Sequence, residues 1–222
     1  MTDDNKKENS IIPINSTDLV RVGNSIQITN KIIQEHEERT IPSSIEIVKI
    51  GNQDWMKANL DVDCYSNGDP IPQVTTPEEW SSIKSGAWCY YQNDIKNKHL
   101  GKLYNWHAVN DPRGLAPLGY NIPSKEDWEN SFNDIYGHLL FARDYESNEL
   151  YKIFNVVQCG YRLDDGSFDE AGLRKAFWWS SSDGTDKRRR FAYFFQISAE
   201  SQNDMLPIRD KNYGISVRCI KI

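Results

Sequence analysis

Apolar positions are sparse at the start of the chain and crowd toward its end. Residues 1–10 run Met1-Thr2-Asp3-Asp4-Asn5-Lys6-Lys7-Glu8-Asn9-Ser10 and hold nothing to bury, which predicts a disordered tail. Over residues 11–44 the pattern is short and mixed. Leu19-Val20-Arg21-Val22 reads as a strand, and Ser25 as the cap of a helix to about Glu38 with Ile28, Ile32 and Ile33 on or beside one face. So narrow a stripe is a docking element, packed either on this chain's own body or on a partner. Thr40-Ile41-Pro42-Ser43-Ser44 reads as a linker.

From Ile45 the pattern becomes that of a packed body. Ile45-Glu46-Ile47-Val48-Lys49-Ile50 alternates and stops at Gly51-Asn52, as a strand does. Thr76-Pro77-Glu78-Glu79-Trp80 combines a capping box with proline at the first helical position, which predicts a helix. Ser124 caps a second, in which Trp128, Phe132, Ile135 and Tyr136 share a face until Gly137. Beyond it everything reads as strand. Asp164-Asp165-Gly166-Ser167 is a hairpin turn, Trp178-Trp179 and Phe191 to Ile197 are strands, and Ile215, Val217 and Cys219 alternate in a last one. Two short helices among many short strands predict an α+β body over residues 45–222.

Composition narrows the function classes. The 222 residues carry a net charge of −6, which disfavours a specific nucleic-acid binder. Hydrophobic content is only 38%, but 7 Trp, 11 Tyr and 8 Phe supply enough ring area for a core. No apolar run approaches the roughly 18 residues of a membrane span. The polar start lacks a signal peptide's apolar segment, so the expected location is cytoplasmic, with export only by an unconventional route. Cys64, Cys89, Cys159 and Cys219 form no C-x-x-C pair, and free thiols are the expectation in a reducing compartment.

Ordered short motifs then give a resemblance. They begin with Ile50-Gly51-Asn52-Gln53-Asp54-Trp55-Met56, Asn59-Leu60 and Asn67-Gly68-Asp69-Pro70-Ile71-Pro72. Ala87-Trp88-Cys89-Tyr90-Tyr91, Gly101-Lys102-Leu103-Tyr104-Asn105-Trp106 and Asp111-Pro112-Arg113-Gly114-Leu115-Ala116-Pro117 follow. Pro123-Ser124 with Trp128, Gly160-Tyr161-Arg162, Asp165-Gly166-Ser167-Phe168, Trp178-Trp179-Ser180-Ser181-Ser182 and Ser216-Val217-Arg218-Cys219 complete the series. Residues 45–222 resemble the Fibrobacter succinogenes major paralogous domain family. The resemblance implies a fold similar to C-type lectins and to formylglycine-generating enzymes, and it implies no established activity. The chain departs from the family in lacking an export or lipid-anchor signal and in a shorter segment between Tyr136 and Gly160.

Candidate chemistry is thin. Formylglycine generators use two nearby late cysteines, whereas Cys159 and Cys219 are far apart in sequence and Cys219 shares a strand face with Ile215 and Val217. His36, His99, His107 and His138 form no H-x-x-x-H pair, and His107 stands where the family often has an aromatic residue, so it reads as packed. The acidic run after Asp164 lacks the order of an EF-hand loop. Asn67-Gly68-Asp69-Pro70 is the nearest thing to a lectin-type calcium loop, and its residues are also ordinary turn formers. Arg113 and Arg218 read as structural, the first tying loop carbonyls and the second on the polar face of the last strand.

One basic run remains, Lys187-Arg188-Arg189-Arg190, ahead of an aromatic strand. It is a solvated loop tip or a patch for an acidic partner. Lectin-like relatives with variable sites place their ligand face on the late strands. The expected binding face is therefore Trp178, Trp179, Arg188, Arg189, Arg190, Tyr193, Phe195, Arg209, Asn212 and Tyr213. The expected function is a non-enzymatic recognition module for a protein partner or a glycan or anionic ligand, without a cofactor. An adaptor subunit docked through Ile28, Ile32 and Ile33 is the alternative, and a formylglycine-generator-like enzyme the third reading.

Overall fold

Two β-branched tetrads open the structure, a computed structural model that describes residues 19–22, 25–28, 45–131, 152, 155–156, 159–169, 175–184, 190–198 and 208–222. The chain divides into two units, Met1–Ser43 and Ser44–Ile222. In the first, β1 (Leu19–Val22) pairs antiparallel with β2 (Ser25–Ile28), from Leu19 opposite Ile28 to Val22 opposite Ser25. Ser25 thus begins a strand and not the expected helix. The reason is local: Gly23-Asn24 is a two-residue hairpin spacer, and Ser25-Ile26-Gln27-Ile28 alternates with period two. Ile28 stands on that strand, while Ile32 and Ile33 lie outside the described residues.

The second unit opens on the expected strand, β3 (Ile47–Ile50), which hairpins through Gly51-Asn52 to β4 (Gln53–Met56). Gly51 turns at φ 59°, a conformation glycine adopts without penalty. Helix α1 (Pro77–Ser82) starts at Thr76, whose Oγ1 accepts from the Glu79 amide at 3.4 Å, and it buries Trp80. Strands β5 (Trp88–Cys89) and β6 (Leu103–Tyr104) flank two 3₁₀ segments, Tyr91–Asn93 and Ile95–Leu100. A single α turn, α2 (Trp106–Val109), adds a helix to the two expected; Asn105 Oδ1 caps it by accepting from the Ala108 amide at 3.1 Å. After β7 (Tyr120–Asn121) comes α3 (125–131), closed by a reciprocal box: the Ser124 amide donates to Asp127 Oδ2 and the Asp127 amide to Ser124 Oγ. Phe132, Ile135, Tyr136 and Gly137 lie outside the described residues.

The late strands are β8 (Tyr161–Arg162), β9 (Phe168–Asp169), β10 (Lys175–Asp183), β11 (Phe191–Ser198), β12 (Ile208–Asp210), β13 (Ile215–Ser216) and β14 (Ile220–Lys221). They complete a six-stranded sheet ordered β12-β11-β10-β13-β6-β5, a four-stranded sheet β3-β4-β14-β7, and the hairpin β8-β9. All pairings are antiparallel except β10 with β13. The unit is α+β.

The six-stranded sheet is covered on both faces. Phe177, Trp179 and Phe194 pack in one cluster with Tyr104, Trp106 and Ile215. Trp178, Phe195 and Ile197 pack in another with Trp55, Trp128 and Ile220. A third cluster joins Trp80, Cys89, Leu103 and Cys159. Burial on both faces explains the unbroken apolar run Ala176-Phe177-Trp178-Trp179.

The expected last strand divides. Ile215–Ser216 belongs to the large sheet and Ile220–Lys221 to the small one, and Val217, Arg218 and Cys219 cross between them, all fully buried. The Val217 and Cys219 carbonyls accept from the amides of Leu60 and Met56 at 2.8 and 2.9 Å, in place of ladder bonds. Arg218 therefore has no solvent-facing side, contrary to the alternation read from sequence. Its Nε and Nη2 donate to Asn59 Oδ1 at 3.1 and 2.6 Å, so it ties loops together from inside the core.

Candidate functional site

The site is built where the β8–β9 hairpin meets the outer strands of the large sheet. The expected Asp164-Asp165-Gly166-Ser167 turn closes that hairpin: the Leu163 amide donates to the Ser167 carbonyl, and Asp165 Oδ1 accepts from the Ser167 amide at 2.8 Å. Arg162, wholly buried, clamps the hairpin to α1. Its Nε donates to Gly166 O, Nη1 to Val74 O and Nη2 to Thr75 O, and its guanidinium lies 4.4 Å from the Trp80 ring centre. Gly166 is required there, since a Cβ would stand 2.4 Å from Pro77 Cα.

This clamp fixes Tyr161. The Arg162 and Gly214 backbones exchange hydrogen bonds of 2.9 and 2.8 Å in an antiparallel bridge, which places Tyr161 and Tyr213 on one face as diagonal neighbours. Their rings stack with centres 5.7 Å apart, and Phe177 meets Tyr161 edge-on at 4.9 Å. From β12, Arg209 extends across the same face with its guanidinium 5.2 Å from the Phe194 ring centre. Tyr161, Phe177, Phe194, Arg209, Tyr213 and Ile215 thus line a shallow crevice too tight to hold a water molecule. It does not engulf a ligand, as pockets of roughly 300–1,000 Å³ do.

Burial pushes both phenols upward, with the neighbouring Asp169 adding to the effect on Tyr161 and Asp164 on Tyr213. They stay protonated at neutral pH and act as hydrogen-bonding groups. Arg209 Nη1 donates to Ile208 O at 3.2 Å, and among the described residues no carboxylate pairs with the guanidinium. What meets here is a partly buried guanidinium and two partly buried phenols around a crevice whose own surface is apolar.

The ten residues expected on this face separate into three groups. Arg209 and Tyr213 are in the crevice, whereas half-buried Tyr193 stands on the other face of β11, with Lys125 Nζ 5.0 Å from its ring centre. Trp178, Trp179 and Phe195 are at most 1% exposed and offer no stacking surface, because both faces of their sheet are covered. Asn212 is likewise buried scaffold. Its carbonyl accepts from Trp80 Nε1, its Oδ1 contacts His107 Nε2 at 3.0 Å, and its Nδ2 donates to Ser81 O. Exposed Arg190 is bound at Nε and Nη2 by Asp210 Oδ2, and Arg188 and Arg189 lie outside the described residues. Sequence reasoning missed Tyr161, Phe177, Phe194 and Ile215. The Gly160-Tyr161-Arg162 motif marked the first, but nothing local shows that it stacks on Tyr213.

The other candidates are accounted for by packing. His107 is half-buried, and burial pulls its pKa down. Arg113 binds carboxylates and not the expected carbonyls: Asp111 through Nε and Nη2, and Asp69 through Nη1, above the Tyr65 ring. In the Asn67-to-Pro70 loop, Asn67 Oδ1 accepts from the Asp69 amide while Arg113 occupies the Asp69 carboxylate. Among the described residues no three His, Cys, Asp or Glu side chains group to hold a metal, and no helix is long and apolar enough to cross a membrane. The four cysteines are free thiols; burial pushes Cys89, Cys159 and Cys219 up to about 12, far from the thiolate form.

No curated protein and no solved structure matches the chain. One family does, its sequence model covering residues 48–221 and so every residue of the crevice, and the chain accordingly belongs to the Fibrobacter succinogenes major domain family.

Proposed function

We propose that the chain is a non-enzymatic, cofactor-free recognition module of C-type lectin-like fold whose ligand face is the Tyr161–Tyr213–Arg209 crevice. One observation carries this reading: a partly buried guanidinium and two partly buried phenols meet on a patch whose backbone is locked by the Arg162 clamp and the Arg162–Gly214 bridge. Recognition surfaces favour rigid aromatics and arginine, which bring contact area at little entropy cost. The shallow shape suits a protein or glycan surface better than an engulfed substrate, and the high thiol pKa values give no support to cysteine chemistry.

The experiment is capture of ligands from cell extract and on a glycan array by the full chain and by Tyr213→Ala. The variant, assayed well below its own melting temperature, is expected to lose ligands that the parent retains. Equal retention of every ligand by both proteins overturns the assignment of the face.

A further inference from the structure

Hydrogen-bond parity along β12 exposes a usable edge beside the crevice. The Lys211 amide donates to Arg190 O at 2.8 Å, and the register sets Asp210 opposite Phe191, Arg209 opposite Ala192 and Ile208 opposite Tyr193. Bonded and non-bonded pairs alternate in an antiparallel ladder. Arg209 therefore bonds inward to β11, while the N–H and C=O groups of Ile208 and Asp210 point outward. β12 is the outermost strand of its sheet among the described residues. Two outward carbonyls are already engaged: Asp210 O accepts from the Tyr213 amide at 2.9 Å, and Ile208 O from Arg209 Nη1. Among the described residues the amides of Ile208 and Asp210 remain as outward donors.

Arg209 thus shields one position of an open strand edge with a charge, a common protection against unwanted pairing. The shield is reversible, because a guanidinium binds a carboxylate far better than a lone neutral carbonyl. A carboxylate that drew Arg209 away would release Ile208 O and complete the edge. Building on the recognition reading, we propose that the β12 edge receives an extended acidic peptide as an added strand, with a peptide carboxylate on Arg209. The peptide residue opposite Arg209 shares its face, the arrangement in which opposite charges pair across strands. Ile208 exchanges two hydrogen bonds with the added strand and Asp210 donates one.

The surrounding charges set the direction. Asp164 and Asp169 lie by the tyrosines, so that side of the crevice repels a carboxylate, and Asp210 is taken up by Arg190 and by the Asn212 amide. The acidic group belongs on the Arg209 side. The sequence adds Lys187, Arg188 and Arg189 directly before Arg190, whose backbone pairs with Lys211 at the end of the same edge.

The test pans a phage-displayed library of random 12-residue peptides on the immobilised full chain, then titrates the best synthetic peptide against parent, Arg209→Met and Tyr213→Ala. Enriched peptides are expected to carry Asp or Glu within an alternating pattern. Arg209→Met, unchanged in melting temperature, should weaken binding roughly ten- to a hundred-fold, as loss of a charge-assisted contact does. N-methylation of the peptide amides should abolish binding at one parity of positions and spare the other. No enrichment, peptides without acidic residues, insensitivity to Arg209→Met, or indifference to N-methyl parity each overturns the strand-addition proposal. If Tyr213→Ala still loses a glycan or folded-protein ligand in that event, the recognition reading stands alone; if it loses nothing, both fall.

Discussion

Asn59 carries more of the core than its size suggests. Its single Oδ1 accepts from Trp178 Nε1 at 2.8 Å and from Arg218 Nε and Nη2 at 3.1 and 2.6 Å, while its Nδ2 donates to Leu100 O at 2.8 Å. Arg218 is wholly buried, and burial pulls its pKa down to about 9, which still leaves it charged at neutral pH. Asn59→Ala removes the acceptor shared by a buried cation and a buried indole. Loss of a hydrogen bond to a charged group costs about 1.5–3 kcal/mol, and a buried neutral donor left unmade about 1–3 kcal/mol. Because both act through one oxygen the costs overlap, and Arg218 keeps further contacts, among them the 3.4 Å one from Nη2 to Asn155 O. The expected loss is about 3–4 kcal/mol, a large share of the roughly 5–15 kcal/mol that holds a domain folded.

Urea unfolding followed by tryptophan fluorescence measures this loss, since Trp55, Trp128 and Trp178 lie in one buried cluster with Phe195. The midpoint should fall with little change in slope, and the melting temperature by roughly 6–15 °C for a body of this size. Asn59→Asp is the informative companion. It supplies a full charge to Arg218 but removes the donor to Leu100 O, so it should lose less than alanine. A loss below about 1 kcal/mol for Asn59→Ala would refute the claim that this amide satisfies the buried guanidinium.

Three further outcomes follow from the same contacts. Hydrogen bonds from Arg113 hold the Asp111 carboxyl down at about 2, so its stabilising effect is present above pH 3.8 and is lost as pH falls toward 2; an acid titration of Arg113→Met should lack that step. Burial lowers the His107 pKa from 6.5, so the unfolded chain binds the proton more readily and stability should decline as pH falls below about 6.5; His107→Gln should flatten that decline in melting temperature between pH 7 and 5. Cys64, only half-buried, should react with iodoacetamide at pH 8 in the native protein, while Cys89, Cys159 and Cys219 react only after unfolding; native labelling of Cys219 would contradict its place in the core.

The elements legible in the sequence were those with local chemical causes. Thr76 with Pro77, the Ser124–Asp127 box and the Asp164-to-Ser167 turn each specify their own backbone within four residues, and the structure has all three. Ser25 failed because Ile28 fits both a helical stripe and a period-two strand over so short a stretch, and pairing with Leu19–Val22 decides for the strand. The last strand failed for a different reason. Alternation of Ile215, Val217 and Cys219 is real, but it does not reveal that the intervening Arg218 crosses between two sheets, where both sides are interior.

The same non-local cause separates the expected ligand face from the observed crevice. Trp178, Trp179 and Phe195 read as half-exposed only if their sheet has one open face, and which faces are covered depends on elements more than a hundred residues away, such as Trp55. Arg209 and Tyr213 survive as surface residues because they stand at the sheet's edge and in the turn beyond it, where coverage ends. Tyr161 joins them through the Arg162–Gly214 bridge, a contact spanning fifty residues with no periodicity of its own. The proposed recognition surface therefore lies where the two-sided core stops. Arg209→Met should change ligand choice with little change in stability, whereas loss of Tyr161 or Tyr213, which pack against the core cluster, should lower both, and that difference separates the displayed cation from its packed support.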